Sequence, residues 1–240
     1  MAILSVDLAY KRYADIGVVL LKQIDGDICY DPIKLPSSDD PSPQKLAETL
    51  NEICSRNEIR LLMLDGPQGW KADDNGLIHS RKCERELNTP AKTGRPFEVK
   101  PANYAPFVRF SVEVYDALGD LDWKRLPDLQ SSSDTSHRWL IETFPLSAWN
   151  TLCINSLPSK RKCRGANLNT YLDGLQRLFP LRQNQSQLLT HDEIQATVSG
   201  LAGLAIESRQ WKDCRCSGIP PRLVDGHWRE GFIVNRLPPG

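Results

Sequence analysis

Apolar residues in this chain come in short runs separated by polar turns. Ile3 to Leu8 and Ile16 to Leu21 are two such runs joined by a short connection, which predicts a β-hairpin. A third strand is expected to end just before Pro32, where residues 32–43 become a Pro- and Ser-rich loop. Gln44 to Arg56 carries Leu46, Leu50 and Ile53 at helical spacing. Arg60 to Leu64 reads as a buried strand that stops at the turn Asp65-Gly66-Pro67. The order strand, strand, strand, helix, strand predicts an α/β domain with a mixed sheet.

The pattern continues less regularly. Ser80 to Leu87 reads as a short, solvated helix with Arg81 and Arg85 on one face. Phe107, Phe110, Val114 and Leu118 mark a helix ending at Gly119, and residues 120–137 read as a loop. Trp139 to Phe144 is a strand stopped by Pro145, followed by helices over 146–152 and 171–179. Thr190 and Glu193 have capping-box spacing at the head of a helix running to about Arg209. Gly200 and Gly203 inside it suggest close packing on the sheet. Residues 231–234 are expected to form an edge strand.

Composition adds bounds. The 240 residues suit one domain, 1–240, with an insertion at roughly 66–137. No apolar run has the length of a membrane span, and the N-terminal run is too short for a secretion signal, so the default expectation is a cytoplasmic protein without a membrane partner. Seven cysteines without a Cys-x-x-Cys pair read as reduced thiols. The 30 basic and 30 acidic side chains cancel, which argues against affinity won by coating nucleic acid with positive charge. The basic run Lys160-Arg161-Lys162-Cys163-Arg164 is the best candidate for a phosphate-contacting patch, with a solvated loop as the alternative.

The chemistry lies in the acids. Asp7 ends an apolar strand, a setting in which a carboxylate must be paired, hydrogen-bonded or metal-bound. Asp65 ends another, and Glu142 sits near the end of a third. Ligands of open α/β sheets gather outside the carboxyl ends of strands. The plainer readings are a strand-ending turn for Asp7 and an Asx-turn for Asp65. Asp192 could join from the first turn of the late helix, where a favourable dipole alone also explains it.

This plan resembles the ribonuclease-H-like superfamily. Four stretches are similar to one branch of it, the predicted nucleases grouped as domain of unknown function 429: Ser5-Val6-Asp7-Leu8-Ala9, Leu64-Asp65-Gly66-Pro67, Arg81-Lys82-Cys83-Glu84-Arg85-Glu86-Leu87, and Glu142-Thr143-Phe144-Pro145. His191 to Ala196 and Glu230 to Val234 are weaker echoes. The resemblance implies a ribonuclease-H-like mixed sheet flanked by helices and a Mg²⁺- or Mn²⁺-dependent nuclease acting on nucleic acid or a nucleotide. Asp7, Asp65, Glu142 and Asp192 would be catalytic metal ligands holding two ions, with Asp7 bridging. Arg81, Arg85, Lys160, Arg161 and Lys162 would hold phosphates. The late helix departs from the pattern: Gln195 stands where relatives place an Asp before Ala196. That departure supports a second class, a nuclease-fold binding module without catalysis, for which Trp70, Trp139 and Trp149 offer a surface if they are not core. A third class, an ATP-binding relative, lacks its phosphate loop, because residues 9–15 contain no Gly, Ser or Thr.

Overall fold

The structure, a computed structural model, describes residues 1–36, 41–163, 168–183 and 188–239. Arg164 of the basic run and residues 37–40 of the Pro-rich loop lie outside the described residues. The chain folds as a mixed α/β sheet flanked by helices, the class its pattern predicts. Its strands are β1 (Ala2–Asp7), β2 (Gly17–Ile24), β3 (Asp27–Pro32), β4 (Leu61–Asp65), a separate β5–β6 ribbon (Lys92–Thr93, Val99–Lys100), β7 (Trp123–Arg125), β8 (Arg138–Thr143), β9 (Leu181–Gln183), β10 (Cys214–Val224) and β11 (His227–Arg236). The main sheet runs β10-β11-β8-β4-β1-β2-β3-β9, and β7 pairs alongside β8. β1, β2 and β3 are antiparallel neighbours, whereas β4 runs parallel to β1 and β8 parallel to β4.

The helices are α1 (Pro43–Arg56), α2 (Lys82–Glu86), α3 (Ala105–Asp120), α4 (Pro145–Thr151), α5 (Asn169–Gln176) and α6 (His191–Glu207). Successive side chains of a strand point to opposite faces, and the core divides accordingly. Leu4, Val6, Leu62, Leu64 and Leu140 pack with Leu46 and Leu50 of α1 and Val114 and Leu118 of α3. Ile3, Met63 and Ile141 pack with Ile194, Val198 and Leu201 of α6 on the other face. Trp70, Trp139 and Trp149 are buried, so they are core and not a partner surface. No helix among the described residues is long and apolar enough to cross a membrane.

The helix α6 lies directly on the strands. A Cβ on Gly200 would come within 2.5 Å of Leu21, and one on Gly203 within 2.9 Å of Met63. At the head of the helix the contact is backbone to backbone: a Cβ on Gly17 would stand 2.2 Å from the Asp192 carbonyl. Neither partner there is a side chain that can swing away. Gly17→Ala should therefore lift α6 from β2 and cost about 2–4 kcal/mol of stability, read as a lower denaturant midpoint. An unchanged midpoint would show that the helix adjusts freely.

Several expectations are corrected. The final strand is interior, not an edge: β11 lies between β8 and β10. Residues 120–137 are not all loop, because β7 pairs in parallel with the first half of β8. Gly119 does not end α3, which continues to Asp120. The short helix α2 is not a solvated face, since Cys83 and Glu84 are buried in it.

Candidate active site

Strand register decides which acids can meet. Val6 pairs with Leu64, so Asp7 and Asp65 close adjacent parallel strands side by side. Their carboxyls share a hydrogen bond. Burial pushes the Asp7 carboxyl well above the usual carboxylate range, with Asp65 and Asp192 adding repulsion and Lys160 opposing. Asp65 is pushed up to about 7, first by burial, although the hydrogen bond to Asp7 pulls it back. Two carboxyls this close disfavour double ionisation.

Asp192, 6 % exposed, reaches the pair from the first turn of α6. It is itself neutralised. Lys160 forms ion pairs with Asp192 Oδ2 and, at 2.7 Å, with Asp15 Oδ1, and His191 Nδ1 lies 3.0 Å from Asp192 Oδ1. That contact raises the His191 imidazole above its ordinary value, against the effect of burial. Gln195 stays out of the cluster: its Oε1 accepts a 2.7 Å hydrogen bond from Trp149 Nε1. Glu193 is spent on the cap, accepting from Thr190 N at 2.7 Å, and on Lys34 at 2.5 Å.

Glu142 is placed differently from the expectation. Asp65 pairs with Thr143, and Glu142 pairs with Leu64. Glu142 therefore sits one residue out of phase and points to the α1/α3 face. There it accepts Arg81 Nη1 at 2.7 Å, Arg81 Nη2 at 2.6 Å and Gln68 N at 3.0 Å. Burial raises the Glu142 carboxyl while Arg81 pulls it down. Arg81 is 1 % exposed and also donates to Glu84 Oε1 at 2.9 Å, so it is not a phosphate contact facing solvent. Arg85, Arg161 and Lys162 are exposed, whereas Lys160 is engaged with the acids as described.

The Arg81–Glu142 pair belongs to a buried knot that sequence reasoning missed. Glu84 accepts Thr93 N and Thr93 Oγ1, each at 2.9 Å. Glu230, fully buried with φ +58°, accepts Ala72 N and Lys82 N at 2.9 Å and Asn75 Nδ2 at 2.5 Å. The signal available in the sequence was the charge-dense Arg81-to-Leu87 stretch together with Glu230-Gly231, both of which resembled family motifs.

No group of three or more His, Cys, Asp or Glu residues among the described residues is arranged to hold a metal ion. Of the four acids, Glu142 is paired with Arg81 and Asp192 with Lys160.

No family model matches the sequence, and no curated protein sequence matches it. Among solved structures, the chain is similar to Thermus thermophilus RuvC, with 10% identity over 88% of this chain and 96% of that one and a TM-score of 0.40. It is likewise similar to T. thermophilus RuvC in complex with a Holliday junction substrate, with 10% identity, the same coverage and a TM-score of 0.39.

Proposed function

We propose that this protein hydrolyses phosphodiester bonds of nucleic acid or nucleotides with the help of one divalent cation held by Asp7 and Asp65. The observation that carries the reading is the hydrogen-bonded carboxyl pair at the ends of adjacent parallel strands. Two carboxyls that burial keeps from ionising together are a donor set poised for a hard cation such as Mg²⁺ or Mn²⁺. A cation there would supply Lewis-acid stabilisation of a phosphoryl oxygen. Asp192 and Lys160 would flank that centre, the lysine as a fixed ammonium beside the acids. Exposed Arg85, Arg161 and Lys162 would draw in the backbone phosphates. Membership of the domain-429 branch is part of this proposal and rests on the four quoted motifs. The seven free cysteines suit a reducing, cytoplasmic setting.

A specific observation favours a second reading, a binding module on a nuclease-like fold: Lys160 already answers Asp192, and Arg81 answers Glu142. Calorimetric titration of Mn²⁺ into the wild type and into Asp7→Asn separates the two. One saturable site that disappears in the variant is the expected result. The absence of binding in both proteins would leave the binding module standing.

A further inference from the structure

A cavity of about 430 Å³ opens beside Asp65 at the carboxyl edge of the sheet. That is the size of a site for a nucleoside-scale ligand. Four aromatic side chains line it: Tyr10, Tyr104, Phe107 and Phe144. They come from three separate places in the chain. Tyr10 lies in the turn between β1 and β2, Tyr104 and Phe107 lie at the head of α3, and Phe144 follows β8. All four are only partly buried. Tyr10 and Phe107 rest on the core beneath them and still border the open space.

The rest of the lining is polar in a particular way. Arg81, Glu84 and Glu142 contribute to the wall, the one guanidinium bonded to both carboxylates. Thr143, also in the lining, has a buried hydroxyl without a partner. Lys11 stands 5.4 Å from the centre of the Tyr10 ring. An aromatic box suits a flat, uncharged ring. Its wall holds three acids, Asp65, Glu84 and Glu142, and one guanidinium, Arg81, and the Lys11 ammonium beside Tyr10 is the cation placed for an attached phosphate. Lipid chains would gain nothing from the polar wall, and a base inside a duplex has both faces covered.

We propose that this cavity takes an unpaired nucleobase, stacked against the aromatic side chains, so that the phosphate attached to it lies at the Asp7–Asp65 centre. The inference rests on the phosphodiesterase reading and narrows it to single-stranded or locally unpaired substrates. Base stacking on aromatic side chains is sequence-tolerant, so little base preference follows.

The test is fluorescence anisotropy with labelled ten-nucleotide strands, using Ca²⁺ to limit hydrolysis. The same sequence is supplied as single-stranded DNA, single-stranded RNA, duplex DNA and an abasic strand with the same phosphates. At least one intact single strand should bind about 10-fold or more tighter than both the duplex and the abasic strand. The DNA and RNA arms identify which sugar accompanies the base. Tyr104→Ala and Phe107→Ala should each weaken binding about 5- to 100-fold, with Mn²⁺ affinity unchanged. Tyr104 and Phe107 both pack on buried residues, so the abasic strand, which needs no substitution, keeps the test decisive if either variant unfolds. Equal binding of intact and abasic strands overturns the proposal, as does the absence of binding to any single strand. If Mn²⁺ binds at Asp7 but the bases make no difference, the pocket assignment fails alone. If base-dependent binding persists without Mn²⁺ binding, the phosphodiesterase reading fails alone.

Discussion

Arg81→Ala is expected to lower the free energy of unfolding by about 3–5 kcal/mol, the largest stability loss foreseen for a single side chain here. The guanidinium is 1 % exposed and bonds two carboxylates, Glu84 and Glu142, that are equally buried. Removing it leaves both acids without their shared cation in a dry interior. Arg81→Lys should recover little, because one ammonium cannot reproduce the fork that spans both Glu142 oxygens at 2.6 and 2.7 Å. Glu84 also ties Thr93, and Glu230 ties Ala72, Asn75 and Lys82, so the whole stretch after β4 depends on this knot. Urea unfolding of the variants measures the effect. A loss below about 1 kcal/mol would mean that the knot relaxes or admits water once the arginine is gone.

The knot also shows where sequence reasoning stops. The hairpin, β4 and β8 are legible as continuous apolar runs bounded by turn residues, and α1 and α6 by their helical spacing. Ser42, whose side chain accepts Lys45 N, and the Thr190–Glu193 box mark the two helix starts. The acids at Asp7 and Asp65 are legible because an apolar strand ending in a carboxylate is unusual. Glu142 has a placement that its local sequence hides, although its charge still acts on Asp65. It too is an acid near a strand end, but it is one residue short of it, and a shift of one residue exchanges the faces of a sheet. Nothing local to Glu142 reveals the register with β4 that settles this. The charge pattern around Arg81 misleads. Charge density on a short helix ordinarily means solvent, and its partners, Glu142 and Glu230, lie 61 and 149 residues away. β10 escapes notice because Cys214 to Val224 is an outer strand with a single buried position, Ser217, and two prolines. Gln195, an apparent defect in the acid set, is a hydrogen-bond acceptor for Trp149.

Asp65→Asn should make the protein more stable at pH 8 by about 2–4 kcal/mol while abolishing Mn²⁺ binding and any hydrolysis. The sign follows from the direction of the shift. Burial pushes the Asp65 carboxyl up to about 7 in the folded protein, against 3.8 for an ordinary aspartate. Between those values the folded state holds a proton that the unfolded state has released, so wild-type stability is fully present below about pH 4 and falls as the pH rises toward 7. Asparagine keeps the shape and never ionises, so the variant should lack most of that decline. His191, raised by Asp192, loses its own contribution as the pH climbs through its folded value, and this part of the slope should survive in Asp65→Asn. Thermal midpoints at pH 5 and pH 8, with and without Mn²⁺, test the argument. In the wild type, Mn²⁺ should raise the pH 8 midpoint in proportion to the logarithm of its concentration at saturating levels. In Asp65→Asn it should do nothing. A variant less stable than the wild type at pH 8 would show that the Asp7–Asp65 pair holds the strand ends together.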